Sequence, residues 1–246
     1  MQSRTGLTVR TFAPAQAAGG PPVLLVHGFG SDGQRDWVDT GIAPALTAAG
    51  RLVIVPDLRG HGQSPTPLTA DQVTAPALVA DLVTVVDEAG ARNFDVVGYS
   101  LGARLAWELP AAAPGRLRRA VLGGLSPAEP FEAVDVAALH RAVADGTEPA
   151  DPFTAVIAGM VRAHGDRAPG LARCVEGLRS TPFVPHAWPA STPPLFVVGK
   201  DDFMTRGIER LVDLVAGSAL TQVPGEHHEV LAEGAFRRTV LETLAG

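Results

Sequence analysis

The chain reads as an α/β protein built on a mostly parallel central sheet with helices on both faces, and two observations point to that class. Short, unbroken apolar runs such as Val23-Leu24-Leu25-Val26 and Leu52-Val53-Ile54-Val55 have strand length and no polar alternation, as expected of strands buried on both faces. Between them lie stretches of helical spacing, so strand and helix alternate along the chain, the pattern of a parallel sheet with crossover helices. The residues with chemical potential follow the strands, at the edge where such sheets carry their sites.

In order, Leu7 to Ala13 is a plausible first strand, followed by an Ala/Gly linker to Pro22. The run from Val23 to Val26 is broken by His27-Gly28-Phe29-Gly30. Ile42 to Ala49 is a short helix stopped by Gly50. The strand from Leu52 to Val55 ends in Pro56-Asp57-Leu58-Arg59-Gly60-His61-Gly62-Gln63-Ser64. Leu78, Leu82, Val85, Val86 and Ala89 then recur at helical spacing, and Gly90 stops that helix. Phe94 to Val97 is a strand that runs directly into a helix from Leu101 to about Ala112, with Gly98-Tyr99-Ser100-Leu101-Gly102 at the junction. A strand follows at Ala120-Val121-Leu122.

The alternation then pauses. From about Ser126 to Pro189 only helical stretches appear, over Val134 to Ala144, Phe153 to Ala163 and Leu171 to Leu178, separated by prolines and glycines. This predicts an inserted helical cap at 126–189 over a core of 1–125 and 190–246. The pattern resumes with a strand from Leu195 to Val198, a helix from Ile208 to Ala216, a strand from Ala219 to Val223 and a closing helix from about Gly234 to Leu244.

Composition is 46% hydrophobic and 19% charged, that of a globular chain with a sizeable core. The formal charge of −6 argues against nucleic acid as a partner. The lone Cys174 excludes an internal disulfide and is expected to be a buried small hydrophobe. No signal-type leader and no run of about 18 apolar residues is present, so the expected location is the cytoplasm, away from the membrane.

Ser100 at a tight strand-to-helix turn would stand proud of the sheet edge, flanked by glycines where side chains would collide with strand and helix. The following helix points its N-terminal N–H groups at it. A serine hydroxyl is a weak nucleophile until a base takes its proton and a carboxylate orients that base. His27 and His61 read as turn-fixing residues, and His140, His164 and His186 fall in the helical insertion. His227 and His228 remain, in the loop after the last strand, with Asp201 and Asp202 on the same edge as acids.

On these motifs the chain resembles serine hydrolases of the α/β-hydrolase fold over nearly its whole length. The order Ser, Asp, His matches, as do His27-Gly28-Phe29-Gly30, Asp57 to Ser64, Gly98 to Gly102, Gly199-Lys200-Asp201-Asp202 and Pro224-Gly225-Glu226-His227-His228. The resemblance implies an acid three residues after Gly199, which is Asp202, and a base four after Pro224, which is His228. Glu129, after the preceding strand, is a lesser candidate for the acid. An oxyanion hole would use the backbone N–H groups of Leu101 and, by resemblance, Phe29. The implied activity is cleavage of a carboxylic ester or similar acyl bond, with a small apolar acyl substrate. Phe29, Trp37, Tyr99, Phe131, Phe153, Met160, Phe183 and Trp188 could shape its pocket.

Neither a zinc helix nor a dinucleotide fingerprint fits the His227-His228 or glycine spacings, so no metal and no cofactor is expected. Serine in place of aspartate at the nucleophile position disfavours epoxide hydrolases and haloalkane dehalogenases. Three rivals remain. One is a lyase similar to the menaquinone-pathway synthase that eliminates pyruvate (SHCHC synthase), with Arg104 binding substrate carboxylates. Another is a carbon–carbon bond hydrolase or lactonase, and the last is a non-catalytic ligand binder on the same scaffold.

Overall fold

The computed structural model describes residues 4–16 and 19–245. Among them are seven strands, β1 (Val9–Phe12), β2 (Val23–Val26), β3 (Val53–Pro56), β4 (Phe94–Tyr99), β5 (Leu117–Gly123), β6 (Leu195–Gly199) and β7 (Ala219–Val223). They form one sheet in the order β1-β3-β2-β4-β5-β6-β7. Every neighbouring pair is parallel except β1 against β3, where Val9 faces Pro56 and Phe12 faces Val53. The expected first strand is thus shorter than Leu7 to Ala13.

Sequential strands move outward on one side from β2 to β3, then jump over β2 to β4 and continue the other way. The loops after β2 and β4 therefore flank the point where the winding reverses, the crevice at which open α/β sheets bind ligands.

The apolar strands obey the two-residue period of the pleat. Val23 and Leu25 of β2, Val53 and Val55 of β3, Val97 of β4 and Val121 of β5 face one layer of helices. That layer is α1 (Ile42–Ala48), through Ile42 and Leu46, and α8 (Gly234–Leu244), through Phe236 and Val240. The alternate residues Leu24, Val26, Ile54, Val96 and Leu122 face the other layer. It comprises α2 (Ala75–Glu88), α3 (Leu101–Ala112) and α7 (Glu209–Leu214). Full burial of each such side chain contributes about 1.5–3 kcal/mol relative to exposure.

Between β5 and β6 run α4 (Val136–Asp145), α5 (Pro152–Arg162) and α6 (Ala168–Ser180). Asp135 caps α4 by accepting from the Ala138 N–H, and Asp151 caps α5 by accepting from the Thr154 N–H, each satisfying a backbone donor that the helix leaves free. Gly146, in the left-handed region at φ 78°, ends α4. This segment rests on the loops after β2 and β3. The Arg167 guanidinium donates to the Ser64 carbonyl, that of Arg173 to Pro67, and the His164 ring lies beside Gly30. Cys174 is fully buried there.

The segment is also tied to α3. A buried ion pair joins Arg104 to Glu129, and the same guanidinium donates to the Thr181 carbonyl. Glu129 further accepts from the N–H groups of Phe131 and Phe183. One arginine, a turn beyond Ser100, thereby holds both chain connections of the helical segment. Burial pushes the Glu129 carboxyl above and the Arg104 guanidinium below their ordinary values, while each partner's charge opposes the shift.

Candidate active site

Ser100 closes β4 and starts α3 with φ 54°, the only non-glycine residue with positive φ among the described residues. A non-glycine residue there is strained, and it persists because its surroundings over-determine it. The Ser100 N–H donates to the Gly123 carbonyl at 2.8 Å, and its own carbonyl accepts from Ala103 and Arg104 at 3.0 and 3.1 Å. A Cβ on Gly98 would strike the backbone of Gly102, and one on Gly102 the carbonyls of Val26 and His27. Strand, turn and helix can pack this closely only with glycine at both positions.

The serine hydroxyl lies 3.0 Å from Nε2 of His227, whose Nδ1 is 2.7 Å from Oδ2 of Asp202. Asp202 is buried, and its other oxygen accepts from the Met204 N–H at 2.9 Å. The carboxylate therefore sets the imidazole proton on Nδ1 and leaves the Nε2 lone pair toward Ser100. Of the two acidic neighbours, Asp202 faces the ring, whereas Asp201 is exposed.

His228 does not join this line, which corrects the register expected from counting after Pro224. It is exposed, with its ring edge-on to His227 at 5.4 Å between centroids. The loop turns tightly here. Gly225 has φ 106°, and the N–H groups of Glu229 and Val230 both donate to the Glu226 carbonyl. This turn brings the third residue after the proline, not the fourth, over Ser100. The carbonyl of His227 is itself held by the Tyr99 hydroxyl at 2.5 Å.

Phe29 follows His27 and Gly28 in the loop after β2. That loop is fixed from both ends. His27 Nε2 accepts from the Leu58 N–H at 2.9 Å, so its proton sits on Nδ1 and is donated to the Gly28 carbonyl at 2.8 Å. Asp36 accepts from the Gly28 N–H at 2.9 Å and from the Ser31 hydroxyl at 2.5 Å. A Cβ on Gly28 would sit 3.4 Å from that of Ser100, so this loop lies against the serine. Among the described residues, the backbone N–H groups of Phe29 and Leu101 have no protein acceptor. Asp36 carries no sequence motif that singles it out.

The stretch from Asp57 to Ser64 is scaffolding. Asp57 pairs with Arg10 at 2.7 Å and accepts from the N–H groups of Gly33 and Gln63. Burial alone would raise its pKa, but these donors outweigh it and hold the carboxyl below its ordinary value. His61 is buried and pushed down to about 3, first by burial and then by its neighbour His27.

The aromatic residues expected around a pocket are dispersed. Phe29 contacts Phe131 edge-on at 5.0 Å, Tyr99 lies against His227, and Trp37 is in the core on the α1 and α8 side. Phe153 and Met160 point outward. Phe183 and Trp188 pack on Trp107, and Phe183 and Trp107 line a groove of about 780 Å³ between α2, α3 and residues 182–189, which does not include the serine. Glu129 is occupied by Arg104 and two N–H groups, and does not orient His227. Among the described residues no group of three or more His, Cys, Asp or Glu is placed to hold a metal ion. No helix among them is long and apolar enough to cross a membrane.

Residues 21–153 match the family described as alpha/beta hydrolase fold. Epoxide hydrolase 3 of Siraitia grosvenorii is 36% identical over 107 residues, covering 44% of this chain and 33% of that protein. The pyrrolizixenacetamide deacetylase of Xenorhabdus hominickii is 35% identical over 108 residues, 43% of this chain and 38% of that protein. These matches span little more than a third of the relatives' length. The solved structure of the enol-lactonase from Burkholderia xenovorans LB400 superposes over 98% of this chain and 96% of its own, with a TM-score of 0.78 and 23% identity. With its own sheet order, its serine at the strand-to-helix turn and a profile match over more than half its length, the chain belongs to the alpha/beta hydrolase fold family.

Proposed function

We propose that this chain is a serine hydrolase that cleaves a carboxylic ester or related acyl bond of a small apolar substrate. The observation that carries the reading is the unbroken line from Ser100 Oγ through His227 to buried Asp202, at 3.0 and 2.7 Å. In the reaction, Nε2 of His227 takes the Ser100 proton as Oγ bonds to the acyl carbon. Asp202 stabilises the imidazolium, and the carbonyl oxygen, now negative, is met by the N–H groups of Phe29 and Leu101 at the start of α3. The imidazolium returns its proton to the leaving oxygen, and the carbon–oxygen bond breaks. Water then repeats the sequence on the acyl-enzyme and releases the acid. Each oxyanion donor of this kind is worth about 2.7–4 kcal/mol in the transition state. Residues 126–189 act as a cap over this edge and set which acyl groups enter.

The matches to epoxide hydrolases favour a second reading, ring opening of an epoxide. The nucleophile weighs against it. A serine with a hydrogen-bonded base is suited to an acyl carbon, whereas a carboxylate is the nucleophile expected for an epoxide carbon. A lyase with Arg104 as a carboxylate binder loses support, because that guanidinium is already taken by Glu129 and Thr181.

The test is turnover of chromogenic esters from C2 to C12, with a styrene-oxide opening assay beside it, by the wild type and Ser100→Ala. Ester cleavage falling by on the order of a millionfold in the variant is expected. Epoxide opening without ester cleavage, or ester cleavage that survives in the variant, would overturn the acyl reading.

A further inference from the structure

We propose that Tyr99 is a positioning residue for the base, its hydroxyl and ring together fixing the height and tilt of the His227 imidazole over Ser100; the inference rests on the serine-hydrolase reading above. Tyr99 is the last residue of β4 and directly precedes the serine, and the pleat sends its side chain to the same face as Val97, the face packed against α8. That direction carries it toward the loop after β7. Its hydroxyl donates to the backbone carbonyl of His227 at 2.5 Å, and its ring lies against the imidazole at 5.4 Å between centroids, inclined by 44°. Phe236 of α8 braces the far side of the ring edge-on at 5.8 Å. The side chain is buried, only 3% exposed.

The end of β5 is shaped around this contact. A Cβ on Gly123 would lie 2.7 Å from Cδ2 of Tyr99 and 2.9 Å from Cε2 of Phe236. One on Gly124 would lie 2.8 Å from Cζ of Tyr99, 3.0 Å from its hydroxyl and 3.1 Å from Cε1 of His227. Two consecutive glycines thus leave space for the phenol and the imidazole to meet. Burial, with Asp202 and Asp36 adding negative charge, pushes the phenol above its ordinary pKa, so it remains a donor. The arrangement also accounts for the choice between adjacent histidines. Asp202 holds the imidazole from one end and Tyr99 holds the same residue's carbonyl, while His228 receives neither contact. A base misplaced by an ångström loses on the order of a hundredfold in rate, so a second anchor on His227 has a chemical consequence beyond packing.

Tyr99 is the only tyrosine in the chain, which allows two independent readouts. The first compares the wild type and Tyr99→Phe, which keeps the ring and removes the donor, on the ester that the wild type cleaves fastest. A fall in kcat of roughly tenfold with KM within twofold is expected, since the hydroxyl touches no substrate. The second needs no turnover. Uniform 3-fluorotyrosine labels Tyr99 alone, and its fluorine resonance should move between about pH 5 and 8, the range in which imidazoles change charge, and lose that movement in His227→Ala. Asp202 and Asp36 near the phenol, and His228 beside the imidazole, remain in that variant as the other ionisable groups. An unchanged kcat in Tyr99→Phe overturns the proposal whatever the fluorine signal does. If the wild type cleaves no ester, or Tyr99→Phe does not fold, the fluorine signal alone decides. A response that depends on His227 sustains the proposal, and one that does not overturns it. Failure of the hydrolase reading would be seen separately, as an inactive wild type.

Discussion

At the scale of single residues, the site turns on which of two adjacent histidines faces the serine. Neighbours in a loop point different ways, so a shift of one residue exchanges a buried imidazole for a solvent-facing one. His227 is held through its ring by Asp202 and through its carbonyl by Tyr99, and His228 stands outside. His227→Ala should therefore lower kcat by on the order of a millionfold, as expected when the base of such a triad is lost, while His228→Ala should stay within a few-fold of the wild type. Steady-state kinetics on one ester decide it, and equal damage from both substitutions would contradict the assignment. Ser100 was legible in the sequence because Gly98 and Gly102 are demanded by backbone approach alone, which spacing records. The histidine was not, because its register depends on a turn closed by Gly225 and on a tyrosine from another strand. Tyr99 stood within the motif, yet its partner lies 128 positions away, and no local pattern reports that.

At the scale of elements, the apolar runs marked β2 and β3 well, since both faces of those strands are covered. The direction of β1 was not legible, because a short edge strand reads the same parallel or antiparallel. The three helices between β5 and β6 were legible by period, with ends displaced by a few residues to the capping Asp135 and Asp151. The loop after β3 carries a prediction of its own. His61 donates from Nδ1 to the Arg59 carbonyl at 3.1 Å, while its Nε2 is buried without a partner. Its pKa is pushed down to about 3 from the ordinary 6.5. The unfolded chain therefore binds a proton there that the folded chain refuses between those values. The stabilising effect is complete above about pH 6.5 and is lost as pH falls toward 3, by up to about 1.4 kcal/mol per pH unit. His61→Phe removes this contribution. Between pH 7 and pH 4.5, chemical denaturation should show the wild type losing roughly 2–3 kcal/mol more stability than the variant. Parallel losses would show that His61 is protonated in the folded state.

At the scale of the whole molecule, the reversal of winding between β2 and β4 brings two distant loops to one place. The loop from His27 to Gly30 arrives from one side and the turn at Ser100 from the other, and β6 and β7 deliver Asp202 and His227 to the same edge. This convergence was legible because alternation fixes which strand ends share an edge. What lies above it was less so. The aromatic residues that the sequence offers for a pocket divide among a core, a surface and a groove along α3, since their packing is set by neighbours from distant parts of the chain. The Arg104–Glu129 pair, which ties those helices to the helix of the serine, required the fold to be seen. Whether Ser100 is an activated nucleophile can be measured without knowledge of the substrate. The protein is treated with a fluorophosphonate, which bonds to a serine oxygen with loss of fluoride, and its intact and peptide masses are measured. One phosphonyl group is expected, on Ser100, absent from Ser100→Ala and strongly slowed in His227→Ala. No adduct on a folded wild type, or an adduct on another residue, would contradict an activated Ser100.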